Sequence, residues 1–327
     1  MPSSLRISHH ILLFCLFLVI THLLSLFCFE TNSPADDTVV VSNKPSNSKK
    51  LTPTSTSYEM KTCTSSQVPA VLESNHYDPL SPITDLDRRL IQSVLSLSSD
   101  GDTLVCQIGT DTVVQLDSFR TLRETIWLND EIIHAYMNCL ANRDKTRSET
   151  LGCRRSHFFK SYFVTKLFRF GYNGVRRWSR NVPGGDIFSL DKVVFPVNLG
   201  GVHWVCIVAF MQKKEIEYHD SLGYRTNDEK ETLLRNGEKY MKAILSYLEN
   251  EHLRFKKRHM SDDHWVLLNR LDTPKQDNGN DCGVYTCMTA DFRSLDLPQQ
   301  YTSNEVRWCR NRMALTLLNN SDHSFGS

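Results

Sequence analysis

The sequence predicts an α+β fold, in which helices flank a small central mixed β-sheet. Three short runs with strand character lie close together, at 192–197, 203–210 and 215–220. The middle run, HWVCIVAF, is apolar on both faces, which is typical of a central strand. Helical patterns precede and follow these runs, and helices segregated around one small sheet indicate the α+β class.

The helices are predicted from apolar residues at helical spacing. Order is expected to begin near Thr84, with the helical pattern TDLDRRLIQSVLSL. A second helix follows Trp127, with Asn129 as its N-cap and with Asp130 and Glu131 in its first turn, where the helix dipole favours anions. Further helical patterns run through 233–248, from 282 onward and through 304–318.

Composition favours one folded domain with additional segments. The 327 residues are 40% hydrophobic, which is enough to bury a sizeable core. Lysine plus arginine (38) nearly balance aspartate plus glutamate (37), so the overall charge does not attract nucleic acid, and no nucleic-acid partner is expected. The basic runs VRRW (175–178) and KKR (256–258) lie inside the folded region and are interpreted as solvated charge.

The ten cysteines are scattered through apolar segments rather than clustered at short spacing. This distribution fits reduced thiols in a reducing compartment. There is no C-x-x-C pair, and Cys153 with His157 lacks a second pair of ligands. The sequence therefore predicts no metal site and no cofactor.

The chain is expected to contain several segments outside the folded domain. Residues 1–10 precede an apolar run at 11–29, which is long enough to span a bilayer and is a candidate transmembrane signal anchor. Residues 30–84 are rich in serine, threonine and proline and are predicted to form a disordered linker. The folded domain is assigned to 85–320 and a tail to 321–327.

A histidine and an aspartate are predicted to face each other across a hairpin. The runs 203–210 and 215–220 are joined by MQKK, which is short enough for a hairpin. Counting from a centre between residues 211 and 212 places His203 directly opposite Asp220, with Cβ atoms about 5 Å apart. Taken alone, a strand end and a turn aspartate explain these two residues better than a catalytic pair does.

The segment KQDNGNDCGVYTC raises the question of whether Cys282 is a structural thiol, a metal ligand or a nucleophile. Turn residues precede it and a helical pattern follows, so Cys282 is predicted to lie at a helix N-terminus, where peptide dipoles favour a thiolate. Cys287, one turn further on, belongs to the buried stripe. The amide of Gln276 is suited to join the Cys282 N–H in stabilising an oxyanion, although an isolated loop glutamine would be the ordinary interpretation.

Four residues together supply a base, an orienting carboxylate, an oxyanion donor and a nucleophile: His203, Asp220, Gln276 and Cys282. The surrounding sequence resembles the Ulp/SENP family of ubiquitin-like-specific cysteine proteases, which release and mature SUMO. The resemblance runs from TLRETIWLNDEIIHAYMNCL through VFPVNLGGVHWVCIVAF to KQDNGNDCGVYTCM. It implies a papain-like fold, a triad of His203, Asp220 and Cys282, and an oxyanion hole with Gln276.

The resemblance also implies substrate-binding residues. Trp127 and Trp204 match two family aromatics that form a narrow tunnel over the C-terminal Gly-Gly of the substrate, and only residues without a Cβ pass between closely spaced rings. Without the resemblance, Trp204 would be interpreted as core. Asp130 matches a residue that pairs with a basic position on SUMO, although its place in the first turn of a helix is an adequate local explanation.

The implied function is that of a SUMO-specific cysteine protease, which hydrolyses the peptide or isopeptide bond after Gly-Gly in SUMO maturation or desumoylation. SUMO and SUMO-conjugated proteins are the expected partners, and the protein is expected to be a monomer. We expect it in the nucleus or nuclear envelope, with any anchor at 11–29 leaving the protease domain in the cytosol or nucleoplasm. The alternatives are a deneddylase or deubiquitinase of the same fold, and a catalytically silent SUMO-binding adaptor.

Overall fold

The computed structural model describes residues 56–63, 77–98, 100–260 and 263–322. The candidate anchor at 11–29 lies outside the described residues, as does most of the predicted linker. Within the described part of the chain, no helix is both long enough and apolar enough to cross a membrane.

Eight strands form one six-stranded sheet and one hairpin in the described part of the chain. They are β1 (Ser57–Cys63), β2 (Leu104–Ile108), β3 (Thr112–Gln115), β4 (His157–Phe158), β5 (Lys192–Leu199), β6 (His203–Phe210), β7 (Glu215–His219) and β8 (His264–Arg270). The large sheet has the order β1-β8-β7-β6-β5-β4, and β2 pairs with β3. Strand β6 is antiparallel to both of its neighbours, whereas the β1–β8, β7–β8 and β4–β5 pairs are parallel. The sheet is therefore mixed, as predicted.

Seven α-helices of the described residues surround the sheet. They are α1 (Asp85–Leu95), α2 (Leu116–Arg120), α3 (Asp130–Leu151), α4 (Phe163–Val175), α5 (Asn227–Lys256), α6 (Cys282–Ser294) and α7 (Ser303–Asn319). Asn129 caps α3 as predicted, because its side chain accepts a 3.1 Å hydrogen bond from the Ile132 N–H. The α+β class is confirmed.

Strand β6 is buried on both faces, as its sequence predicts. Trp204, Cys206 and Val208 belong to one hydrophobic cluster, while Val205 and Ile207 belong to the other. Helix α6 packs on the first face with all 13 of its residues buried, and α4 and α5 cover the second face. This burial between sheet and helices fixes the position of α6 and of its first residue.

The predicted linker contains a strand that the sequence analysis did not anticipate, so the assignment of disorder is wrong for 57–63. Strand β1 pairs in parallel with β8 from Ser57, opposite His264, to Cys63, opposite Arg270. Its side chains are mostly exposed. Because the order of β1 comes from backbone pairing with a distant strand, the polar composition of the segment did not reveal it.

Residues 77–84, which precede the predicted domain start, also pack on the folded domain. The Tyr77 hydroxyl donates a 2.9 Å hydrogen bond to Asp291 of α6, and Ile83 is buried. The predicted domain start at 85 therefore leaves out residues that pack on the central helix.

Candidate active site

Three predicted residues converge where β6 begins and β7 ends. His203 is the first residue of β6, Asp220 follows the last residue of β7, and Cys282 is the first residue of α6. His203 Nε2 lies 2.8 Å from Asp220 Oδ1. The Cys282 thiol is near enough to His203 to contribute to the raised pKa of the imidazole. Because Asp220 occupies Nε2, the other ring nitrogen, Nδ1, is the one left for the thiol.

The predicted direct opposition of His203 and Asp220 is wrong by two residues. In the β6–β7 ladder, Phe210 pairs with Glu215 and Cys206 pairs with His219, because the four-residue loop closes symmetrically between the strands. When the same pairing is continued to the start of β6, His203 lies diagonally across from Asp220 rather than directly opposite it. Side chains alternate with a period of two, so a shift of two residues keeps both on the same face and within reach.

The Asp220 carboxylate is buried and is held by several donors. Its Oδ1 also accepts a 2.9 Å hydrogen bond from the Leu222 N–H, and its Oδ2 lies 3.3 Å from the Tyr218 hydroxyl. Lys275 Nζ donates to the Asp220 carbonyl oxygen at 2.8 Å. Burial opposes the negative charge, but the nearby His203 charge and hydrogen bond outweigh it and lower the pKa of Asp220.

The His203 imidazole is largely enclosed, with a side chain that is 14% exposed. Burial opposes its positive charge, yet the charge and hydrogen bond of Asp220, together with the Cys282 contact, raise the pKa of His203 to about 10. The imidazolium form is therefore favoured at neutral pH. This is the charge state that a neighbouring thiolate requires.

The two cysteines of α6 differ as the sequence predicts. Cys282 lies at the helix N-terminus with 5% of its surface exposed, whereas Cys287 is fully buried. Burial raises the pKa of Cys287 well above the ordinary thiol value. Only Cys282 has an imidazole partner.

Gln276 lies close to the turn that follows Asp220. Its backbone N–H donates to the Ser221 carbonyl at 2.9 Å, and its Oε1 accepts from the Ser221 hydroxyl at 2.8 Å. The Nε2 group donates one hydrogen to the Asn278 carbonyl at 2.7 Å. An amide nitrogen carries two hydrogens, so one of them is left for another acceptor.

Trp127 and Trp204 have very different exposures. Trp127 is 42% exposed, whereas Trp204 is 6% exposed and belongs to the core. The Trp204 indole N–H donates to the Leu128 carbonyl at 3.2 Å, which ties the start of β6 to the segment that carries Trp127. Asp130 is exposed in the first turn of α3. The substrate-binding roles of these three residues remain predictions.

The sequence analysis missed Arg310, a buried residue of α7. Its guanidinium donates to Asp281 Oδ1 at 2.6 and 2.9 Å and to the carbonyls of Thr121, Arg123 and Asn280 at 3.0 to 3.1 Å. It thereby joins the residue before Cys282 to the loop before Trp127. A charged residue within the apolar stripe of α7 was the available signal.

The described residues contain no cluster of side chains suited to binding a metal ion. In residues 56–63, 77–98, 100–260 and 263–322, no three histidine, cysteine, aspartate or glutamate side chains are grouped so that they could hold a metal ion.

Residues 126–322 match the Ulp1 protease family, C-terminal catalytic domain. The chain is 34% identical over 198 residues to a sentrin-specific protease of Caenorhabditis elegans, an alignment that covers 61% of this chain and 26% of the relative. It is 32% identical over 206 residues to ubiquitin-like-specific protease 1 of Saccharomyces cerevisiae, which covers 63% of this chain and 29% of that relative. The chain thus spans less than a third of the length of these curated relatives.

A solved structure of the C-terminal Ulp1 protease domain, in complex with Smt3, the yeast ortholog of SUMO, has a similar fold. The TM-score is 0.61 at 27% sequence identity, and the match covers 74% of this chain and 97% of that chain. This likeness supports the fold that the sequence predicts. Because the family match extends over more than half of its residues, the chain belongs to the Ulp1 protease family.

Proposed function

We propose that this chain is a SUMO-specific cysteine protease that cleaves the peptide or isopeptide bond after the C-terminal Gly-Gly of SUMO. The observation that carries the proposal is the position of His203, whose Nε2 lies 2.8 Å from Asp220 Oδ1 and whose pKa is also raised by the neighbouring Cys282. The choice of SUMO rests on similar proteins, namely a sentrin-specific protease and a Ulp1 domain in complex with Smt3.

In the proposed reaction, the Cys282 thiolate attacks the carbonyl carbon of the terminal glycine and forms a tetrahedral intermediate. The C–N bond then breaks, and His203 gives its proton to the departing amine. Neutral His203 next takes a proton from water, which attacks the thioester and releases the glycine carboxylate and Cys282. Asp220 orients the imidazole and stabilises its charged form.

The proposed oxyanion hole consists of the Cys282 N–H and the second Nε2 hydrogen of Gln276. The N–H groups in the first turn of a helix lack partners within the helix, so the start of α6 offers a donor at the reacting carbonyl. Ser221 holds the Gln276 amide by its oxygen, which directs the nitrogen away from Ser221.

The proposed substrate channel lies between Trp127 and Trp204, with Asp130 contacting the body of SUMO. The exposure of Trp127 suits it to contact a substrate tail, while Trp204 supports the channel from the core. A narrow channel between two indole rings would favour a Gly-Gly tail over residues with larger side chains.

The proposal includes a monomeric protein in the nucleus or nuclear envelope, with the protease domain facing the cytosol or nucleoplasm. Seven of the described cysteines are free thiols, in keeping with a reducing compartment: Cys106, Cys139, Cys153, Cys206, Cys282, Cys287 and Cys309. Fractionation of the full chain, beside a form that lacks 11–29, tests the membrane anchor, and a location in an oxidising lumen would contradict the proposal.

The decisive assay measures release of a fluorophore from the C-terminus of SUMO, NEDD8 and ubiquitin by the full chain. SUMO should be the preferred substrate. Preference for NEDD8 or ubiquitin would favour the corresponding alternative, and SUMO binding without turnover would favour the adaptor.

Cys282→Ser should reduce turnover to below about one percent of the unmodified chain, because the serine hydroxyl lacks the nucleophilicity of the thiolate. Binding of SUMO should persist, because it is spread over a surface. Cys287→Ser is the matched control in the same helix and should retain activity at reduced stability, since it buries a hydroxyl. Equal activity of Cys282→Ser and the unmodified chain would overturn the assignment.

A further inference from the structure

A basic run at the end of α4 lines one pocket together with an arginine of α5 that is distant in the sequence. Arg176 and Arg177 belong to VRRW at the end of α4, Arg180 follows in a 3₁₀ turn (Trp178–Asn181), and Arg254 lies just before KKR in α5. These four arginines line a cavity of about 510 Å³ together with polar groups of Tyr172 and Asn250. The interpretation of VRRW as merely solvated charge did not anticipate that two of its arginines line a cavity with Arg254.

The pocket carries a large excess of positive charge. The side chains of Arg176, Arg177 and Arg180 are exposed and form no hydrogen bond or ion pair with any residue in the described part of the chain. None of the residues lining the cavity is acidic. Guanidinium groups remain charged at every physiological pH, so these three positive charges have no counterion among the described residues.

One carboxylate lies beneath the pocket and balances the charge of a single arginine. Glu251 is fully buried, with its Oε1 accepting a 2.7 Å hydrogen bond from the Tyr172 hydroxyl and lying 3.5 Å from Arg254 Nη1. Formally, one negative charge faces four positive charges, which leaves an excess of three. The chain as a whole has a net charge of only +1, so this excess is local.

The walls of the pocket are joined by direct hydrogen bonds. Arg254 Nη1 donates to the Arg176 carbonyl at 2.6 Å and to the Ser179 hydroxyl at 3.0 Å. These bonds link α5 to the end of α4 and the following turn. The arginines are therefore presented on connected elements rather than on a free loop, which reduces the conformational cost of binding.

The pocket is remote from the proposed catalytic residues. Helix α5 begins shortly after Asp220, whereas Arg254 lies near its far end. At a rise of about 1.5 Å per residue, this separates Arg254 from the start of the helix by about 40 Å. A ligand here would not contact Cys282 or His203, so the site is independent of the proposed protease activity.

We propose that this arginine pocket binds a compact polyphosphate, either a soluble inositol polyphosphate or the phosphorylated headgroup of a lipid. Arginine pairs with phosphate through two parallel hydrogen bonds, and four converging guanidinium groups match several phosphates on one small scaffold. The cavity volume lies within the range of small-molecule sites, about 300–1,000 Å³, and exceeds what a single phosphate needs.

Isothermal titration calorimetry of the full chain with inositol hexakisphosphate tests the proposal. We expect saturable binding and an increase in melting temperature, with inorganic phosphate binding far more weakly. Arg177→Gln/Arg180→Gln should weaken binding about ten-fold or more, or about 1.4 kcal/mol. Flotation with phosphatidylcholine vesicles, with and without phosphatidylinositol bisphosphate, then identifies whether a lipid headgroup is also accepted.

A matched control removes the same charge outside the pocket. Arg235→Gln/Lys239→Gln alters two exposed cations on the N-terminal half of α5 and should leave the affinity unchanged. The proposal is overturned if both double variants weaken binding equally, if inositol hexakisphosphate does not bind, or if only long nucleic acids bind. Catalytic activity is not the readout, so failure of this proposal leaves the proposed protease function intact.

Discussion

Two histidine–carboxylate pairs lie close together, one between the start of β6 and the end of β7 and the other within β7, and their histidines have opposite charge preferences. In the first, His203 meets Asp220 at 2.8 Å, and its pKa is raised to about 10 by Asp220 against the effect of burial. In the second, His219 Nε2 lies 3.0 Å from Glu217, yet burial lowers the pKa of His219. A carboxylate partner alone therefore does not decide the charge of a histidine.

The difference arises from the other partners of each carboxylate. Glu217 receives two bonds of 2.8 Å from Arg293 and one of 2.6 Å from Arg270, so its charge is already balanced. Burial opposes the Glu217 charge, but the His219 bond and the two guanidinium groups hold the pKa of Glu217 well below its usual range. Asp220 has no arginine partner in the described residues, which leaves its charge available to His203.

The bonding pattern of His219 agrees with a neutral ring. Its Nε2–H donates to Glu217, and its Nδ1 lies 2.9 Å from the Thr273 hydroxyl, which can donate to it. Through Arg293 this cluster joins β7 to α6, and through Thr273 it reaches the segment that leads to Gln276. We interpret it as a structural cluster behind the site, in contrast to the His203 pair, which faces the nucleophile.

Replacing the two histidines should produce the largest difference between the two pairs. His203→Gln should lower kcat/KM by about 10⁴-fold or more in its folded fraction, because the base and proton donor are removed. His219→Gln should retain activity in its folded fraction and lose about 1–3 kcal/mol of unfolding free energy, because it leaves buried groups unpaired. Urea unfolding together with SUMO-substrate kinetics measures both. Comparable kinetic losses in the two variants would remove the distinction.

Replacing the orienting carboxylate should have the next largest effect. Asp220→Asn should lower kcat/KM by about 10³-fold, because the amide neither orients the ring correctly nor stabilises its charge. The alkaline limb of the pH–rate profile should also move to lower pH, since His203 loses the group that raises its pKa and its imidazolium form is lost earlier as the pH rises. A purely structural role for Asp220 would lower stability without moving that profile.

Glu217→Gln tests whether the second pair has a structural role. It leaves Arg293 without its buried counterion, whereas Arg270 keeps Asp272, and we expect a loss of about 3 kcal/mol of unfolding free energy. Turnover per folded molecule should change much less than in Asp220→Asn. The reverse order of the two effects would show that the arginine cluster takes part in catalysis.

The smallest expected effect is the difference between His203 and His219 in the pH at which each ring titrates. Because the folded pKa of His203 is raised, its contribution to stability is complete below about 6.5, the unfolded value, and is lost as the pH rises towards about 10. His219 has a lowered pKa, so its signal should not titrate near neutral pH. Histidine NMR signals, assigned with the two glutamine variants, measure both. A neutral His203 ring at pH 8 would contradict the proposed ion pair.

Features encoded locally were the ones that the sequence predicted well. The bounds of β6 follow from a run that is apolar on both faces, and the Asn129 cap depends on residues three positions apart. Proximity of His203 and Asp220 was predicted despite the wrong register, because an even shift preserves the face. Long-range features were missed, among them Arg310 and its contacts with the loop near residue 121, since no local pattern encodes them.

Family resemblance supplied a different part of the site. Local chemistry alone left His203, Gln276 and Trp204 with ordinary structural explanations. The resemblance assigned them to one mechanism, and the structure brings His203 together with Asp220 and Cys282. The exposure of Trp127 and the core position of Trp204 could not be read from their spacing, because burial depends on tertiary packing.

The pairing of β1 with β8 has a consequence for handling shortened forms of the protein. As it stands, the sheet terminates on that side in a mostly exposed strand where Lys61 and Glu59 form a 2.9 Å ion pair, and charged side chains discourage intermolecular strand addition. A form that begins at residue 85 loses β1 and uncovers β8, whose Trp265 and Leu267 are buried in the complete domain. Such a fragment would expose unpaired backbone groups beside apolar side chains. We expect this exposed strand edge to promote aggregation during purification.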